Sequence, residues 1–235
     1  MSTILPFRKC AKRVDELKKE FSYPPKYLGG RPSHAWGDIL IHKKVLHFGS
    51  GDMKPVPSTN NQDLIRMSSQ LVTVDDDKES GADYSTLQEV PDRDLDTVWS
   101  EHVLEHIPME DIPDVFLQIY NMLKPGGKFL FTVPNILSFG GFFTCWDHRN
   151  HAEAVEFAGI ASAVCGFEVL DIFRWSKHKT VQRHKKWHEE KNELALYLTN
   201  FMWENYSLDT AQFVTALLQK PNPDLIPKRD DELTT

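Results

Sequence analysis

The sequence predicts an α/β fold: a mainly parallel sheet with helices on both faces, preceded by a helix and followed by a helical extension. Two observations predict it. Short apolar runs recur at residues 45–48, 71–74, 97–100, 128–133 and 167–175, separated by stretches with helical patterning. Strands alternating with helices build parallel sheets that are covered on both faces. The second observation is a pair of segments in fixed order, Asp-Thr-Val-Trp-Ser-Glu-His-Val-Leu-Glu-His at 96–106 and Leu-Lys-Pro-Gly-Gly-Lys-Phe-Leu-Phe-Thr-Val-Pro-Asn at 123–135. Together they read as a buried strand, an abrupt polar helix start, an amphipathic helix, a Pro-Gly-Gly turn and another buried strand.

Each element has a local reason. Residues 8–21 are charged, with apolar punctuation at Val14, Leu17 and Phe21, which suits an amphipathic first helix. Pro24, Pro25, Gly29, Gly30 and Pro32 then make an irregular leading segment. Residues 60–69 read as a helix, and a short extended piece near 82–84 as a third strand. A helix is expected over 112–123 and another over 153–164, the latter ended by Gly166, a usual C-cap residue. Residues 167–175 alternate as a late strand. The final stretch, 221–235, has three prolines and six charged residues and reads as a poorly ordered tail. The expected organisation is a leading segment over 1–40, a ligand-binding core over 41–176, a helical extension over 177–220 and that tail.

Composition narrows the function. With 235 residues, 40% hydrophobic and 26% charged, the chain has room for one well-buried core. A net charge of −7 argues against a nucleic-acid backbone as the main partner. The basic run Lys-His-Lys-Thr-Val-Gln-Arg-His-Lys-Lys at 177–186 is followed at once by Glu189, Glu190 and Glu193 and reads first as a solvated face, with an anionic docking patch as the other reading. No apolar run approaches the roughly 20 residues of a membrane helix, and residues 1–9 lack the apolar stretch of a secretory signal. Cys10, Cys145 and Cys165 show no Cys-x-x-Cys spacing. A reducing cytoplasm is therefore the expected setting, without disulfides or a metal. Oligomeric state is not legible.

Two strand ends carry the chemistry. Residues 44–53 read Lys-Val-Leu-His-Phe-Gly-Ser-Gly-Asp-Met: a buried strand running into Gly-x-Gly, a turn whose backbone can approach a ligand closely. The next strand ends in Val74-Asp75-Asp76-Asp77, and a carboxylate there can accept both hydroxyls of a ribose.

With these motifs, and with "VLEHI" and "LKPGG", the chain resembles the class I S-adenosylmethionine (SAM)-dependent methyltransferases, in particular the type 11-like members of small-glycan and metabolite pathways. The resemblance spans about residues 42–175. It implies a Rossmann-like sheet of the seven-strand type and SAM as cofactor, with S-adenosylhomocysteine as product. It also implies that Phe48, Gly49, Ser50 and Gly51 lie under the methionine part, that Asp75 and Asp76 face the ribose, and that Asp83 and Tyr84 face the adenine. Glu101 and His102 would stand where cofactor and acceptor meet. The pattern departs from the family at His47, where an acidic residue is usual, and at Met53, where a third small residue is.

Histidine transfers protons best near neutral pH, and the loop Asp147-His148-Arg149-Asn150-His151 follows the fifth strand at the sheet's ligand end. Candidate catalytic residues are therefore His102, directly after the fourth strand, and His148 and His151, in a loop expected to close over the acceptor, while His106 is expected to pack against the sheet. The acceptor favoured is a small polar molecule, most simply a hydroxyl of a sugar or similar metabolite, with a small-molecule amine or carboxylate as the nearest alternative. Three other readings stand beside this one. A non-catalytic SAM-binding scaffold would keep the fold. A dinucleotide dehydrogenase needs a third glycine where Lys54 stands. His102-x-x-Glu105-His106 also satisfies the H-x-x-E-H zinc-hydrolase motif, which requires a long helix rather than a strand end.

Overall fold

Helix α1 (Phe7–Glu20) forms where the apolar spacing predicts it. After it come β1 (Lys26–Tyr27), β2 (Lys44–Phe48), β3 (Gln70–Val74), β4 (Leu95–Glu101), α2 (Ile112–Met122), β5 (Leu123–Pro134), α3 (Ala154–Cys165), β6 (Glu168–Trp175) and β7 (Phe213–Gln219). The computed structural model describes residues 7–21, 26–27, 37–51, 66–91, 93–138, 148–175, 193 and 213–223. Most of the expected helix at 60–69, Asp147, the basic run at 177–186 and the tail after 223 lie outside the described residues.

The strands form one sheet in the order β1-β6-β7-β5-β4-β2-β3. Pairing is parallel except at β7, which runs antiparallel to both β5 and β6. Chain order reverses around β2, which lies between β3 and β4. In open α/β sheets the crevice beyond the carboxyl ends of strands at such a switch point is the ligand site.

The structure corrects three expectations. The piece at 82–84 is no strand: only an isolated bridge joins Val74 to Tyr84. Asp83 bends back onto β3, its carboxylate accepting from the Thr73 amide and hydroxyl, both at 2.9 Å, and a 3-10 turn follows at Leu87–Glu89. Six strands thus have five residues or more, and the seventh is the two-residue β1 at the opposite edge. Secondly, residues 213–219, expected within a helical extension, are β7. Its interior is buried throughout, so the sequence shows an apolar run without strand alternation. Thirdly, the turn after β4 is a 3-10 turn at Leu104–His106, not the start of a helix.

Packing follows from the pattern. In α2 the buried residues Ile112, Phe116, Ile119 and Met122 recur at helical spacing and face the sheet. α3 is closed by a Glu153–Glu156 capping box and by Gly166 at φ 83°. α1 rests on α3 so closely that a side chain at Gly159 would stand 2.4 Å from Val14 Cγ2. All three described helices join the core on one face of the sheet. On the other face, Val45, Trp99, Leu130 and Leu217 are covered among the described residues by Ile39 and Leu40. Helices on both faces are therefore seen only in part. His47 lies on this second face, 4% exposed and stacked on the Trp99 ring at 4.9 Å. Its departure from the family pattern is thus a packing solution on the face away from the helices.

Candidate active site

A cavity of about 660 Å³ opens at the switch point. One wall comes from Phe48, Gly49 and Gly51 after β2 and from Asp75 and Asp76 after β3; the other comes from His102, Val103, His106 and Ile107 after β4. Residues 85–88 line it as well.

The glycine turn needs its glycines for two different reasons. Both have positive φ, 74° at Gly49 and 62° at Gly51, a region that strains other residues. A Cβ on Gly49 would collide with Val103 Cγ2 at 2.0 Å, whereas one on Gly51 would meet nothing within 4 Å and would enter open space. Gly49 therefore lets two strand ends approach each other, and Gly51 leaves room beside the cavity. The Asp75 carboxylate is fixed next to this turn: Oδ2 accepts from the Gly51 amide at 2.6 Å and Oδ1 from the Asp77 amide at 3.0 Å. Each carboxylate oxygen can accept more than one hydrogen bond, so Asp75 can still take a ligand's hydroxyls.

Of the residues expected around the cofactor, Phe48, Gly49, Gly51, Asp75, Asp76 and His102 line the cavity. Ser50, Asp83, Tyr84 and Glu101 are not among its lining residues. Asp83 is spent on Thr73, and Tyr84 packs against the core. The neighbouring Ser85, Thr86, Leu87 and Gln88 line the cavity. The sequence offered only a polar stretch before Pro91 as their signal.

At the other end, His102 adopts a left-handed φ of 59°, a conformation found at functional sites more often than elsewhere for such residues. Its amide donates to the Thr132 carbonyl at 3.0 Å, its ring meets the Phe213 edge at 4.8 Å, and its Nδ1 stands 3.4 Å from Glu105 Oε1. His106, expected to pack against the sheet, lines the cavity.

The loop expected to act as a lid is, in its described part, tied down. The amides of Arg149 and Asn150 donate to the Glu105 carbonyl at 2.8 and 3.2 Å. Asn150, 7% exposed, donates through Nδ2 to the carbonyls of Leu104 at 2.8 Å and Ile107 at 2.7 Å. One buried amide thus binds the 3-10 turn after β4 to the segment before α3. The clasp sets the His148 ring 4.9 Å from that of His106. His151 points elsewhere: it lines a separate cavity of about 550 Å³ with Cys10, Val14, Met109 and Glu156. Of the expected catalytic residues only His102 lines the first cavity; His148 stands between His106 and His151, with the His151 ring 6.5 Å away.

A family described as "Methyltransferase domain" matches residues 56–131. No curated protein matches the chain significantly. Among solved structures, a SAM-dependent methyltransferase from Archaeoglobus fulgidus superposes with a TM-score of 0.54 at 16% identity, covering 88% of this chain and 94% of that one. A putative sarcosine dimethylglycine methyltransferase from Galdieria sulphuraria gives 0.51 at 17% identity, covering 92% and 86%. The N-methyltransferase NodS from Bradyrhizobium japonicum WM9 gives 0.51 at 13% identity, covering 90% and 96%. At such identities the likeness shows the fold and says nothing of the acceptor. The family match covers residues 56–131, and the solved structures share this Rossmann-like α/β fold. Among the described residues no helix is long and apolar enough to cross a membrane.

Proposed function

We propose that the cavity at the switch point binds SAM and that the chain transfers its methyl group to a hydroxyl of a small polar acceptor, such as a sugar or related metabolite. The observation that supports this reading most is the pairing, across one cavity, of a glycine turn and strand-end carboxylate with two histidines. SAM supplies a sulfonium methyl group for in-line displacement, so the protein has mainly to align and to move a proton. Gly49 lets the two strand ends close on each other, and Gly51 keeps the cavity beside it free of a side chain. Asp75 accepts ribose hydroxyls, and Ser85 to Gln88 border the base. His102 and His106 occupy the opposite wall, where an imidazole can take a proton from an attacking hydroxyl near neutral pH. An amine, which needs no such base once neutral, fits two facing histidines less well.

Calorimetry with SAM and S-adenosylhomocysteine tests the first half, and saturable binding of both is expected. A screen for labelled methyl transfer over sugars, sugar nucleotides and small metabolites tests the second. Binding of neither ligand would leave a scaffold of the same fold; transfer to amines alone would overturn the hydroxyl reading.

A further inference from the structure

Among the described residues Glu105 is the most deeply buried carboxylate. It is 4% exposed, and neither carboxylate oxygen has a hydrogen-bond partner. His102 Nδ1 stands 3.4 Å from its Oε1. Burying a carboxylate in this way costs several kcal/mol unless something compensates it. Around it, one ligating atom from each of Glu105, His106 and His148 lies within 4.8 Å of the other two. The two chain segments involved are locked together by Asn150 and by the Glu105 carbonyl, which accepts two amides. The cluster is thus built, not accidental.

We infer that Glu105, His106 and His148 form a binding site for a divalent first-row metal ion of the zinc type, at the acceptor end of the cavity. Two imidazoles and one carboxylate favour such an ion over magnesium or calcium, which prefer all-oxygen sets. With metal–ligand bonds of about 2.0–2.2 Å, the ligand atoms of a tetrahedral site stand about 3.3 Å apart. Atoms at most 4.8 Å apart reach that spacing by side-chain adjustments on the order of 1 Å. Three protein ligands leave a coordination position open, as in catalytic rather than structural sites. His106 lines the cavity itself, so the open position is available to an acceptor oxygen. This role rests on the function proposed above. A bound metal lowers the pKa of a coordinated hydroxyl. The acceptor O–H then yields its proton to a base such as His102 or to water. The oxygen–carbon bond forms as the carbon–sulfur bond breaks, and the thioether leaves neutral. The set differs from His102-x-x-Glu105-His106: its third ligand is the distant His148, and no helix is involved.

The full chain, stripped with chelator and dialysed, is titrated with Co²⁺ as the visible probe and then with Zn²⁺ in competition. One Co²⁺ per chain should bind with new absorption bands, and Zn²⁺ should displace it. Glu105→Gln, His106→Ala and His148→Ala should each weaken binding at least tenfold, while the exposed His42→Ala should not. S-adenosylhomocysteine binding, measured in parallel, shows that each variant is folded and reports on the cofactor site separately. Absence of stoichiometric binding by the unaltered chain would overturn the metal site while leaving the methyltransferase reading intact. So would binding that survives all three substitutions in chains that still bind S-adenosylhomocysteine. His148→Ala alters only a half-buried loop residue, so it keeps the assignment testable if the two changes in the 3-10 turn unfold the protein.

Discussion

The two walls of the cavity are made in different ways. The wall after β2 and β3 is backbone: two positive-φ glycines and an aspartate held by neighbouring amides. The wall after β4 is side chain, assembled from a 3-10 turn and a distant segment that one buried asparagine holds together. A backbone wall tolerates almost no change of shape, whereas a clasped wall depends on a single joint. The first therefore has several essential positions with similar penalties, and the second has one position that governs all the others.

The largest effect should come from Gly49→Ala. Overpacking against Val103 adds about 1–3 kcal/mol to a left-handed strain of about 1–2 kcal/mol. Thermal unfolding should show a loss of several degrees or more, together with loss of SAM binding. Gly51→Ala separates the two causes: only the strain of about 1–2 kcal/mol remains, so the fold should survive while SAM binding falls steeply. Equal destabilisation in both variants would erase the distinction between a glycine that packs and one that makes room.

The joint of the other wall comes next. Asn150→Ala strands two buried carbonyls and should cost about 2–4 kcal/mol in urea unfolding. SAM affinity should fall far less than turnover, because the backbone wall is untouched. If both fall together, the walls are not independent. Asp75→Ala should act in the opposite sense. Loss of charge-assisted contacts worth about 1.5–3 kcal/mol should weaken SAM binding tenfold to a hundredfold by calorimetry, with a smaller effect on stability.

The smallest effect lies at the far end of β4. Burial pushes the Asp96 carboxyl up, but Lys124 and the Lys44 amide more than offset this, and the net shift is below the ordinary value of 3.8. A depressed folded pKa gives stability that is complete above the unfolded value and is lost as pH falls through the folded one. Asp96→Asn should therefore flatten the acid limb of the stability profile below about pH 4, leaving SAM binding at neutral pH unchanged. A change in affinity there would mean that the two ends of the strand are coupled.

The backbone wall was legible in the sequence because its signals are local. A Gly-x-Gly after an apolar run and an aspartate at the next strand end carry their geometry with them. Asp83 and Tyr84 misled because a carboxylate near a strand end can turn inward, and Thr73 offered it two donors. The clasped wall was only half legible. Residue type and position single out His102 and His148 as candidates, but nothing short of the fold joins Asn150 to Leu104 and Ile107. Glu105 stood inside a motif whose expected helix does not exist, so its spacing was visible and its geometry was not. β7 was hidden for a simpler reason: a strand buried on both faces has no alternation to betray it.

β7 also carries a consequence for how the chain is made. It occupies the gap between β5 and β6, completing hydrogen bonding for both. During synthesis those two strands emerge well before their shared neighbour, each with a row of unanswered amides and carbonyls facing the other across an open slot. Such long-range closure is slow, and unpaired edges invite foreign strands in the meantime. A nascent chain halted before residue 213 should therefore need chaperone protection, and supplying the 213–219 peptide in trans should restore its solubility.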